Sequence, residues 1–542
     1  MSDPQSDGKN RRPVRLERAD DGFTVLYYGR PLYDRHTPRL SAERRTISTP
    51  IAENTCYLVA SPILYYGVAE LLGRIPPSSI ICAVEFDKDL AGLTVQYADS
   101  EIQNTAPLIA GHPVDETAEL IAASFHSNIR RVEVVRPTGG YRTSRKHYDH
   151  LLEILREEIN HHWRNVATLV HFGRRWMRNV FRNLGHSASA PPMATELPTV
   201  VCAAGESLEN HIQSFHHNRD RVHIMAVDTA LGPLIENGIT PDSVVAIESQ
   251  VVNVGDFLAG LPASTRLFYD LTIHPSVPGL AHPDLRHRLL TDFVPLTVLD
   301  RIHHAFPDIT TMRPFASVGL TAINLACRLS AWPVLLAGFD FAYTPGKPHA
   351  KGSLSHRLEL SLDRRLMTPV LYAHAMTRQF RRGRTADGAV YTTDANLAQQ
   401  ASILARAIPD GNTVYTLSRT GPRVPIEERS LTAFLSQCDQ LRTRYRTKSA
   451  KQSVSSTSRS SETAVFLTDE SERLRRVRSH GDITGMEYLW MDFADQTPGI
   501  VRRNRTDQDT LPTELSDLDP SLRSRVIHRA DSFLRFIETV SR

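Results

Sequence analysis

Residues 198–215, PTVVCAAGESLENHIQSF, predict a strand, a tight turn and an amphipathic helix. PTVVCA is apolar enough for a buried strand, and Ala204, Gly205 and Glu206 form the turn that follows it. Ser207 is placed to cap the helix. Because a helix N-terminus presents free N–H groups and a partial positive charge, the turn predicts a phosphate-binding site. We therefore expect Gly205→Val to block phosphate binding while the melting temperature changes little.

Two further strands of this region end in polar residues. RVHIMAVDTAL (221–231) ends its strand at Asp228 and Thr229, and PDSVVAIESQ (241–250) ends its strand at Glu248. Ligands of open α/β sheets bind at the carboxyl ends of the strands, so these side chains and the first turn are predicted to form one site. In the alternative interpretation, each acid only caps the helix that follows it. This explains Asp228 or Glu248 taken singly, but it explains less well why all three strands end in polar residues.

A third group of candidates lies further along the chain. ASVGLTAINLACRL predicts a buried helix whose small leading residues, including Ser317, allow close backbone approach. WPVLLAGFDFAYTPGKPHAKG (332–352) predicts a strand with Asp340 at its end, followed by a polar loop with Tyr343 and His349. A catalytic histidine and an inert loop histidine both fit this pattern, and Asp340 is the base under the second interpretation.

The amino-terminal region predicts a smaller unit of the same type. CYLVA, YYGVAELLGRI and IICAVEF, all between residues 56 and 86, predict a strand, a helix and a strand. This pattern is typical of a Rossmann-like domain, in which Glu85 stands where an acidic ribose ligand is often found. The turn around Ser61 lacks the glycines that such a site needs. The sequence therefore favours a structural unit over a working nucleotide pocket.

The chain is predicted to divide into seven segments. A basic stretch, Arg130 to Gly185, has 12 Lys/Arg and 5 Asp/Glu, and its apolar residues recur at helical spacing until Gly185 ends the run. It fits either a solvated pair of helices that joins two domains or a docking face for an acidic partner or an anionic donor. Removal of residues 447–542 is expected to leave the central domain folded. The segments are a flexible N-terminus (1–22), a Rossmann-like αβ domain (23–140), a basic helical connector (141–190), a central catalytic domain (191–427), a helix (428–446), a disordered linker (447–463) and a helical C-terminal domain (464–542).

Composition limits the class of protein. The chain has 542 residues, 41% of them hydrophobic, which supports several packed domains and excludes a wholly disordered chain. Its 63 Lys and Arg against 60 Asp and Glu leave a net charge of +3, so no nucleic acid partner is expected. Five dispersed cysteines without a CxxC pair favour a reducing compartment. With no apolar signal core and no stretch typical of a membrane span, we expect a cytoplasmic chain without membrane insertion; the sequence does not decide its oligomeric state.

Four segments resemble, in order, the central motifs of the motility-associated-factor (Maf) flagellin glycosyltransferases: PTVVCAAGESL, AVDTALGPLIENGITPDSVVAIE, ASVGLTAINLA and AGFDFAYTPGKPHAKG. YGRPLYDRHTPRLSAERR and VASPILYYGVAELL look like that family's amino-terminal domain, and VYTLSRTGPRVPIE is similar to the segment that closes its catalytic domain. The resemblance covers roughly residues 23–427. The chain departs from the family pattern G-x-G-P-S-L, which reads AAGESL at residues 203–208, and it has Glu248 where Asp is usual.

The resemblance implies an α/β protein with a sialyltransferase-like αβα catalytic domain. It implies transfer of a nonulosonic, sialic-acid-like sugar from a CMP donor to Ser or Thr of flagellin, in support of flagellar assembly and motility. No obligatory divalent ion or other cofactor is expected, because the central domain has no Asp-x-Asp motif. The implied donor-binding residues are Ala204, Gly205, Glu206 and Ser207 for the phosphate, Asp228, Thr229 or Glu248 for the ribose or base, and Ser317; Asp340, Tyr343 and His349 are implied for the chemistry.

Two rival functions remain open at this point. The same domain type occurs in a hydroxymethylpterin pyrophosphokinase, so a pterin-type diphosphotransferase that uses ATP and Mg²⁺ is the first alternative. The second is a flagellin-binding accessory protein without catalytic activity, which the lost motif glycine makes reasonable.

Overall fold

The computed structural model describes residues 14–98, 100–190, 195, 197–315, 317–343, 349–361, 381–385, 388, 390–417, 419–445, 460–501 and 511–541. It falls into two compact units. The first unit contains residues 1–171 and 490–512, and the second contains residues 172–489 and 513–542. A carboxyl-terminal piece thus belongs to each unit, which the sequence did not indicate. The seven predicted segments stay a prediction.

The described elements alternate between strands and helices over most of the chain. The strands are β1 (Val14–Arg18), β2 (Phe23–Tyr27), β3 (Arg30–Pro31), β4 (Thr55–Ala60), β5 (Ile80–Glu85), β6 (Leu108–Ala110), β7 (Arg131–Val135), β8 (Thr199–Cys202), β9 (His223–Val227), β10 (Ser243–Ala246), β11 (Arg266–Asp270), β12 (Arg286–Thr291), β13 (Thr310–Met312), β14 (Val334–Ala337), β15 (Arg381–Arg384), β16 (Val390–Thr393), β17 (Val414–Thr416) and β18 (Glu427–Glu428). The α-helices are α1 (Pro38–Ile47), α2 (Val68–Leu72), α3 (Lys88–Tyr97), α4 (Ser100–Thr105), α5 (Val114–Ala123), α6 (Arg145–Leu184), α7 (Ile212–His217), α8 (Asp228–Glu236), α9 (Thr297–Ala305), α10 (Val318–Leu329), α11 (Leu354–Ser361), α12 (Ala395–Ile403), α13 (Leu431–Tyr445), α14 (Ser460–His480), α15 (Thr497–Val501) and α16 (Pro520–Val540).

The first unit is built on a four-stranded parallel sheet with the order β6-β5-β4-β7. All six residues of β4, TCYLVA, are buried because this strand lies inside the sheet with neighbours on both sides. A separate antiparallel sheet contains β1, β2 and β3. The predicted strand–helix–strand pattern of residues 56–86 is therefore present as β4, α2 and β5.

The helical spacing of the basic stretch corresponds to one continuous helix, α6, of 40 residues, and the expected pair of helices is wrong. Its first turns contribute Tyr148, Leu151 and Leu155 to the core of the first unit, where they pack with residues of β4 and β5 such as Leu58 and Val84. The helix ends at Leu184, directly before a glycine, as the sequence predicts.

The second unit is built on a nine-stranded parallel sheet with the order β13-β12-β11-β10-β9-β8-β14-β17-β18. Strands β8, β10 and β14 are wholly buried, and each is a short apolar run of the kind expected in a sheet covered on both faces. Antiparallel strands β15 and β16 form a separate ribbon. The mixed α/β class with parallel sheets, predicted from the sequence, is confirmed.

Helix α14 of the second unit packs against α9. Glu470 on α14 is buried and accepts hydrogen bonds from the Arg301 guanidinium at 2.8 and 3.0 Å and from the Tyr488 hydroxyl at 2.8 Å. Beside them, the rings of Phe306 and Phe466 meet edge to face at 5.7 Å. These contacts make α14 part of the hydrophobic core of the unit that carries the large sheet.

Candidate functional site

The large sheet has a topological switch point between β8 and β14. From β8 the chain adds β9 to β13 on one side, and it then crosses to add β14, β17 and β18 on the other. In open α/β sheets the crevice outside the carboxyl ends of the two strands at such a point is where ligands bind. Residues 203–207 follow β8 and residues 338–340 follow β14, so the two best sequence candidates meet at this place.

Asp340 joins the two sides of the switch point. Its carboxylate accepts hydrogen bonds from the Ser207 backbone N–H at 2.9 Å, from the Ser207 hydroxyl at 2.5 Å and from the Thr420 N–H at 3.2 Å. Ser207 and Asp340 are both buried. We call Ser207, Asp340 and Thr420 the switch-point clamp. Burial raises the pKa of the Asp340 carboxyl, and the hydrogen bonds from the clamp partly offset that rise.

The predicted capping role of Ser207 is wrong. The helical segment here is a 3-10 helix, Glu206–His211, whose N-cap is Gly205 and which has no side-chain cap. The Ser207 hydroxyl instead donates across the switch point to Asp340. A hydrogen bond to a carboxylate is stronger than the bond that a capping hydroxyl accepts from a backbone N–H, so the contact with Asp340 prevails.

Gly205 is required by the close approach of two strand ends. Its N–H donates to the Gly338 carbonyl at 2.9 Å. A Cβ added at Gly205 would lie 2.5 Å from Asp340 Oδ2 and would also overlap the Gly338 carbonyl. The expectation that Gly205→Val leaves the melting temperature nearly unchanged is therefore not supported by the packing.

His349 lies beside the same turn. The N–H of the next residue, Ala350, donates to the Ala204 carbonyl at 2.8 Å, and the Lys351 N–H donates to Glu209 at 2.9 Å. The His349 ring is partly exposed, and its Nδ1 lies 2.9 Å from the Ser355 hydroxyl. Burial lowers the pKa of His349 below its usual value of about 6.5, so the ring is neutral near pH 7.

Ser317 caps the helix that begins at the switch point. Its hydroxyl accepts from the Leu320 N–H at 3.4 Å. A Cβ added at Gly319 would lie 3.0 Å from the ring of Phe339, the residue before Asp340. The first turn of α10 thus lies beside the residues that follow β14, as the small leading residues predicted. Ala316 lies outside the described residues.

Acidic side chains follow the next two strands of the sheet. Asp228 is buried at the first position of α8, and Glu248 lies two residues beyond β10. Burial, followed by the charges of Asp256 and Glu248, raises the pKa of Asp228, and burial raises the pKa of Glu248. Burial also raises the pKa of Asp256 to about 6. Thr229 follows Asp228 and donates its N–H to that carboxylate at 2.8 Å.

Tyr343 forms hydrogen bonds with Thr392 and Asp394, away from the switch-point clamp. Its N–H donates to the Thr392 carbonyl at 2.7 Å, and its hydroxyl donates to Asp394 at 3.1 Å. Asp394 also caps α12 through the Leu397 N–H at 2.8 Å. These bonds tie Tyr343 to the β15–β16 ribbon and to α12. They favour a structural role for this side chain over a catalytic one.

Two residues of the site escaped prediction. Asp256 lies within a 3-10 helix, Val251–Phe257, where no pattern in the sequence sets it apart from a solvated acid. Arg419 comes directly before Thr420, in the segment VYTLSRTGPRVPIE that the family resemblance had already singled out. Burial lowers the pKa of its guanidinium, and the charge of Asp340 opposes that change.

The smaller sheet has its own switch point, between β4 and β7. The Ser61 hydroxyl donates to Glu85 at 2.5 Å, and the Thr138 hydroxyl donates to the Ser61 carbonyl at 2.8 Å. All three side chains are buried, and burial raises the pKa of Glu85 to about 7. A Cβ added at Gly140 would overlap the Ser61 side chain. These contacts favour the structural interpretation of the amino-terminal unit.

Two properties of the described residues concern metals and membranes. Among the parts of the chain that the structure describes, no cluster of three or more His, Cys, Asp or Glu side chains could hold a metal ion. None of the described helices combines the length and the apolar character needed to cross a bilayer.

Comparison with known proteins agrees with the sequence motifs. Residues 174–346 match the family model of the 6-hydroxymethylpterin diphosphokinase MptE-like domain. The whole fold is similar to that of the MAf glycosyltransferase from Magnetospirillum magneticum AMB-1, with a TM-score of 0.57, 14% identity, and coverage of 98% of this chain and 92% of that one. The expected resemblance to the Maf family is thus confirmed for the central domain and for the fold.

Two similar sequences belong to Treponema pallidum (strain Nichols). One uncharacterized protein is 30% identical over 353 residues, which are 63% of this chain and 61% of that protein. A second is 25% identical over 178 residues, 32% of this chain and 82% of that protein. The chain therefore matches about three fifths of the length of the first of these relatives.

Proposed function

We propose that this chain is a glycosyltransferase that moves a nonulosonic sugar from a CMP donor to Ser or Thr side chains of flagellin. One observation carries the proposal: the clamp of Ser207, Asp340 and Thr420 lies at the switch point of an open parallel sheet, where ligands of this architecture bind. The ordered motifs and the likeness to a MAf glycosyltransferase support this reaction class over other uses of the fold.

The donor phosphate is assigned to the partly exposed turn around Gly205 and Glu206, next to the first turn of α10. Transfer breaks the bond between the anomeric carbon of the sugar and the phosphate oxygen of CMP. The developing positive charge on the sugar and the negative charge on the phosphate both need a preorganised polar environment. The buried hydrogen bonds of the clamp keep this turn in one position before the donor binds.

His349 is assigned as the general base. Since its pKa is lowered by burial, the ring is neutral near pH 7 and accepts a proton from the acceptor hydroxyl. Its Nδ1 is engaged by the Ser355 hydroxyl, so the proton goes to Nε2 when Nδ1 carries the hydrogen of that bond. The Ala350–Ala204 hydrogen bond holds His349 beside the turn that carries Gly205.

Asp340 is better assigned as a positioning residue than as the base. Both of its carboxylate oxygens already accept hydrogen bonds from the clamp, one from the Ser207 N–H and the other from the Ser207 hydroxyl and the Thr420 N–H. Neither oxygen can accept a proton from a substrate hydroxyl unless one of these hydrogen bonds breaks. Asp228 and Glu248, which follow the adjacent strands β9 and β10, are assigned to the ribose or base of the donor.

A pterin-type diphosphotransferase is the second candidate, because the matching family model carries that description. The two functions differ in their nucleotide. A ligand at 100 times its Kd stabilises a protein by about 2.7 kcal/mol, which a thermal-shift measurement detects. We expect CMP and CTP to stabilise this chain; stabilisation by ATP with Mg²⁺ in place of the cytidine nucleotides would favour the diphosphotransferase.

The intact mass of flagellin, produced with and without this protein in cells that make the CMP-activated sugar, tests the transfer itself. We expect a mass increase equal to a whole number of nonulosonic residues. Flagellin that binds the protein in a pull-down assay and keeps its unmodified mass would favour the accessory-protein alternative.

The His349→Asn variant tests the assigned base. Asparagine keeps part of the shape and hydrogen bonding of histidine and cannot titrate. We expect the variant to bind CMP normally and to lose roughly a hundredfold in transfer, the low end of what a general base supplies. Transfer at a nearly normal rate would refute the assignment.

A further inference from the structure

Arg419 presents a guanidinium at the switch point without a matching anion. Its Nε is buried and makes no hydrogen bond to the described part of the chain. Its Nη1 donates to the Pro422 carbonyl, which is a neutral acceptor. Within the described residues no carboxylate comes close enough to form an ion pair with it, although Asp340 and Glu428 lie near enough for their charges to act on it.

The backbone around Arg419 fixes its position relative to the turn that carries Gly205. The N–H of the next residue, Thr420, donates to Asp340. Gly421 lies so close that an added Cβ would overlap the Asp340 carbonyl. Since Asp340 also holds Ser207, the segment that carries Arg419 and the turn that carries Gly205 are fastened to the same carboxylate.

A partly buried guanidinium with an unused N–H is unfavourable unless something binds it. Buried donors nearly always have a partner, and an exception needs an explanation such as a ligand or an ion. The planar guanidinium has five N–H donors, and its geometry matches two oxygens of a phosphate or a carboxylate. Asp340 does not fill this role, because its own oxygens accept from Ser207 and Thr420.

We propose that Arg419 binds the anionic group of the substrate, through two oxygens of a phosphate or a carboxylate, next to the switch-point clamp. The inference rests on the proposed function for the identity of that substrate. A CMP-activated nonulosonic acid has both groups, a phosphodiester and a sugar carboxylate, and both have the oxygen geometry that a guanidinium recognises. If the bound group is the sugar carboxylate, the residue also selects an acidic sugar over a neutral one.

Three ligands separate the two groups: inorganic pyrophosphate, CMP, and N-acetylneuraminate as a free sugar acid. Their affinities are measured by titration calorimetry for the full chain and for Arg419→Gln. Arg423→Gln is the matched control, because Arg423 lies in the same segment and is exposed. Loss of a charge-assisted pair is expected to weaken the affected ligand about 10- to 100-fold in Arg419→Gln, and the control is expected to bind like the wild type.

The pattern of losses identifies the bound group. Weaker pyrophosphate and CMP binding places the phosphate at Arg419, whereas weaker binding of N-acetylneuraminate alone places the carboxylate there. Wild-type binding of pyrophosphate through Arg419 without any CMP binding would keep this inference and refute the CMP-dependent function. Equal affinities of wild type and Arg419→Gln for all three ligands, or no binding of any of them by the wild type, would overturn it.

A second variant covers the case in which Arg419→Gln does not fold. Arg419→Lys keeps the charge and loses the planar pair of donors. We expect an intermediate loss of affinity for the same ligand, with an unchanged circular dichroism spectrum. Wild-type affinity in this variant, for the three ligands alike, would also overturn the inference.

Discussion

The two parallel sheets of this protein have the same kind of switch point and differ in what surrounds it. In each, a serine after the first strand donates its hydroxyl at 2.5 Å to a buried acid, Ser61 to Glu85 in the first unit and Ser207 to Asp340 in the second. In the first unit the acid lies on β5, the next strand along the chain. In the second it follows β14, so the hydrogen bond crosses the switch point.

The surroundings decide which of the two can take a ligand. At the smaller sheet, Ser61, Glu85 and Thr138 are 0, 1 and 4% exposed, and Gly140 packs directly on the serine. At the larger sheet Ser207 and Asp340 are buried in a similar way. Partly exposed residues adjoin them: Gly205, Glu206, Ser317, His349, Arg419 and Thr420. The same local motif therefore seals one crevice and frames an accessible one at the other sheet.

The largest expected effect concerns the extent of the second unit. Removing residues 447–542 takes away α14 and α16, leaves Arg301 without Glu470, and exposes Phe306. Breaking a buried ion pair alone costs about 3 to 5 kcal/mol. In contrast to the expectation from the sequence, we expect the 1–446 fragment to lose cooperative melting in circular dichroism. A fragment that melts cooperatively near the full-length temperature would show that the large sheet is independent of these helices.

Glu470→Gln in the full chain separates the ion pair from the rest of this interface. The variant keeps α14 and its apolar contacts and leaves the Arg301 guanidinium without its charged partner. We expect it to be less stable than the wild type and still cooperative. A variant as stable as the wild type would assign the stability to the apolar contacts.

Gly205→Val is expected to have the next largest effect. The valine side chain would overlap the Gly338 carbonyl and approach Asp340 Oδ2 within 2.5 Å, so the two strand ends must move apart. Overpacking of this kind costs about 3 kcal/mol. Gly279→Val is the control, since nothing lies within 4 Å of an added Cβ there. Thermal melting that is equal in the two variants would contradict the close approach at the switch point.

The smallest expected effect is a pH dependence of stability that arises from Glu85 in the sealed crevice of the first unit. Burial raises the pKa of Glu85 to about 7, whereas an unfolded glutamate titrates near pH 4.3. The folded state thus holds the Glu85 proton more tightly, and stability falls as the pH rises from about 4.3 to about 7, by about 4 kcal/mol in total. Glu85→Gln cannot titrate, so we expect its melting temperature to fall less than that of the wild type between pH 5 and pH 7.5. If the melting temperatures of the wild type and of Glu85→Gln changed in parallel with pH, the raised pKa of the buried Glu85 carboxyl would be refuted.

The comparison also separates what a sequence can indicate from what it cannot. Strands β8, β9, β10 and β14 are short apolar runs between turns, and burial on both faces requires that pattern, so they and the polar groups at their ends were predictable. The partners of Asp340 were not. Its bonds to Ser207 and Thr420 span 133 and 80 residues, and no local periodicity encodes a contact at that separation.

The misassigned roles have a related cause. Ser207 was expected to cap a helix because capping is the common local use of a serine after a strand. The position of Asp340 across the switch point gave its hydroxyl a charged acceptor, and the tertiary contact prevailed over the local one. Arg419 was overlooked because one arginine in a polar segment is indistinguishable from a solvated one until its surroundings are known.

Hydrogen–deuterium exchange of the full chain with and without CMP tests the central claim most directly. The claim is that the crevice at β8 and β14 binds the donor nucleotide and that the crevice at β4 and β7 does not. We expect CMP to slow exchange in peptides covering residues 203–211 and 317–321, and to leave those covering residues 60–66 and 138–142 unchanged. Protection of the second pair of peptides without protection of the first would contradict the account.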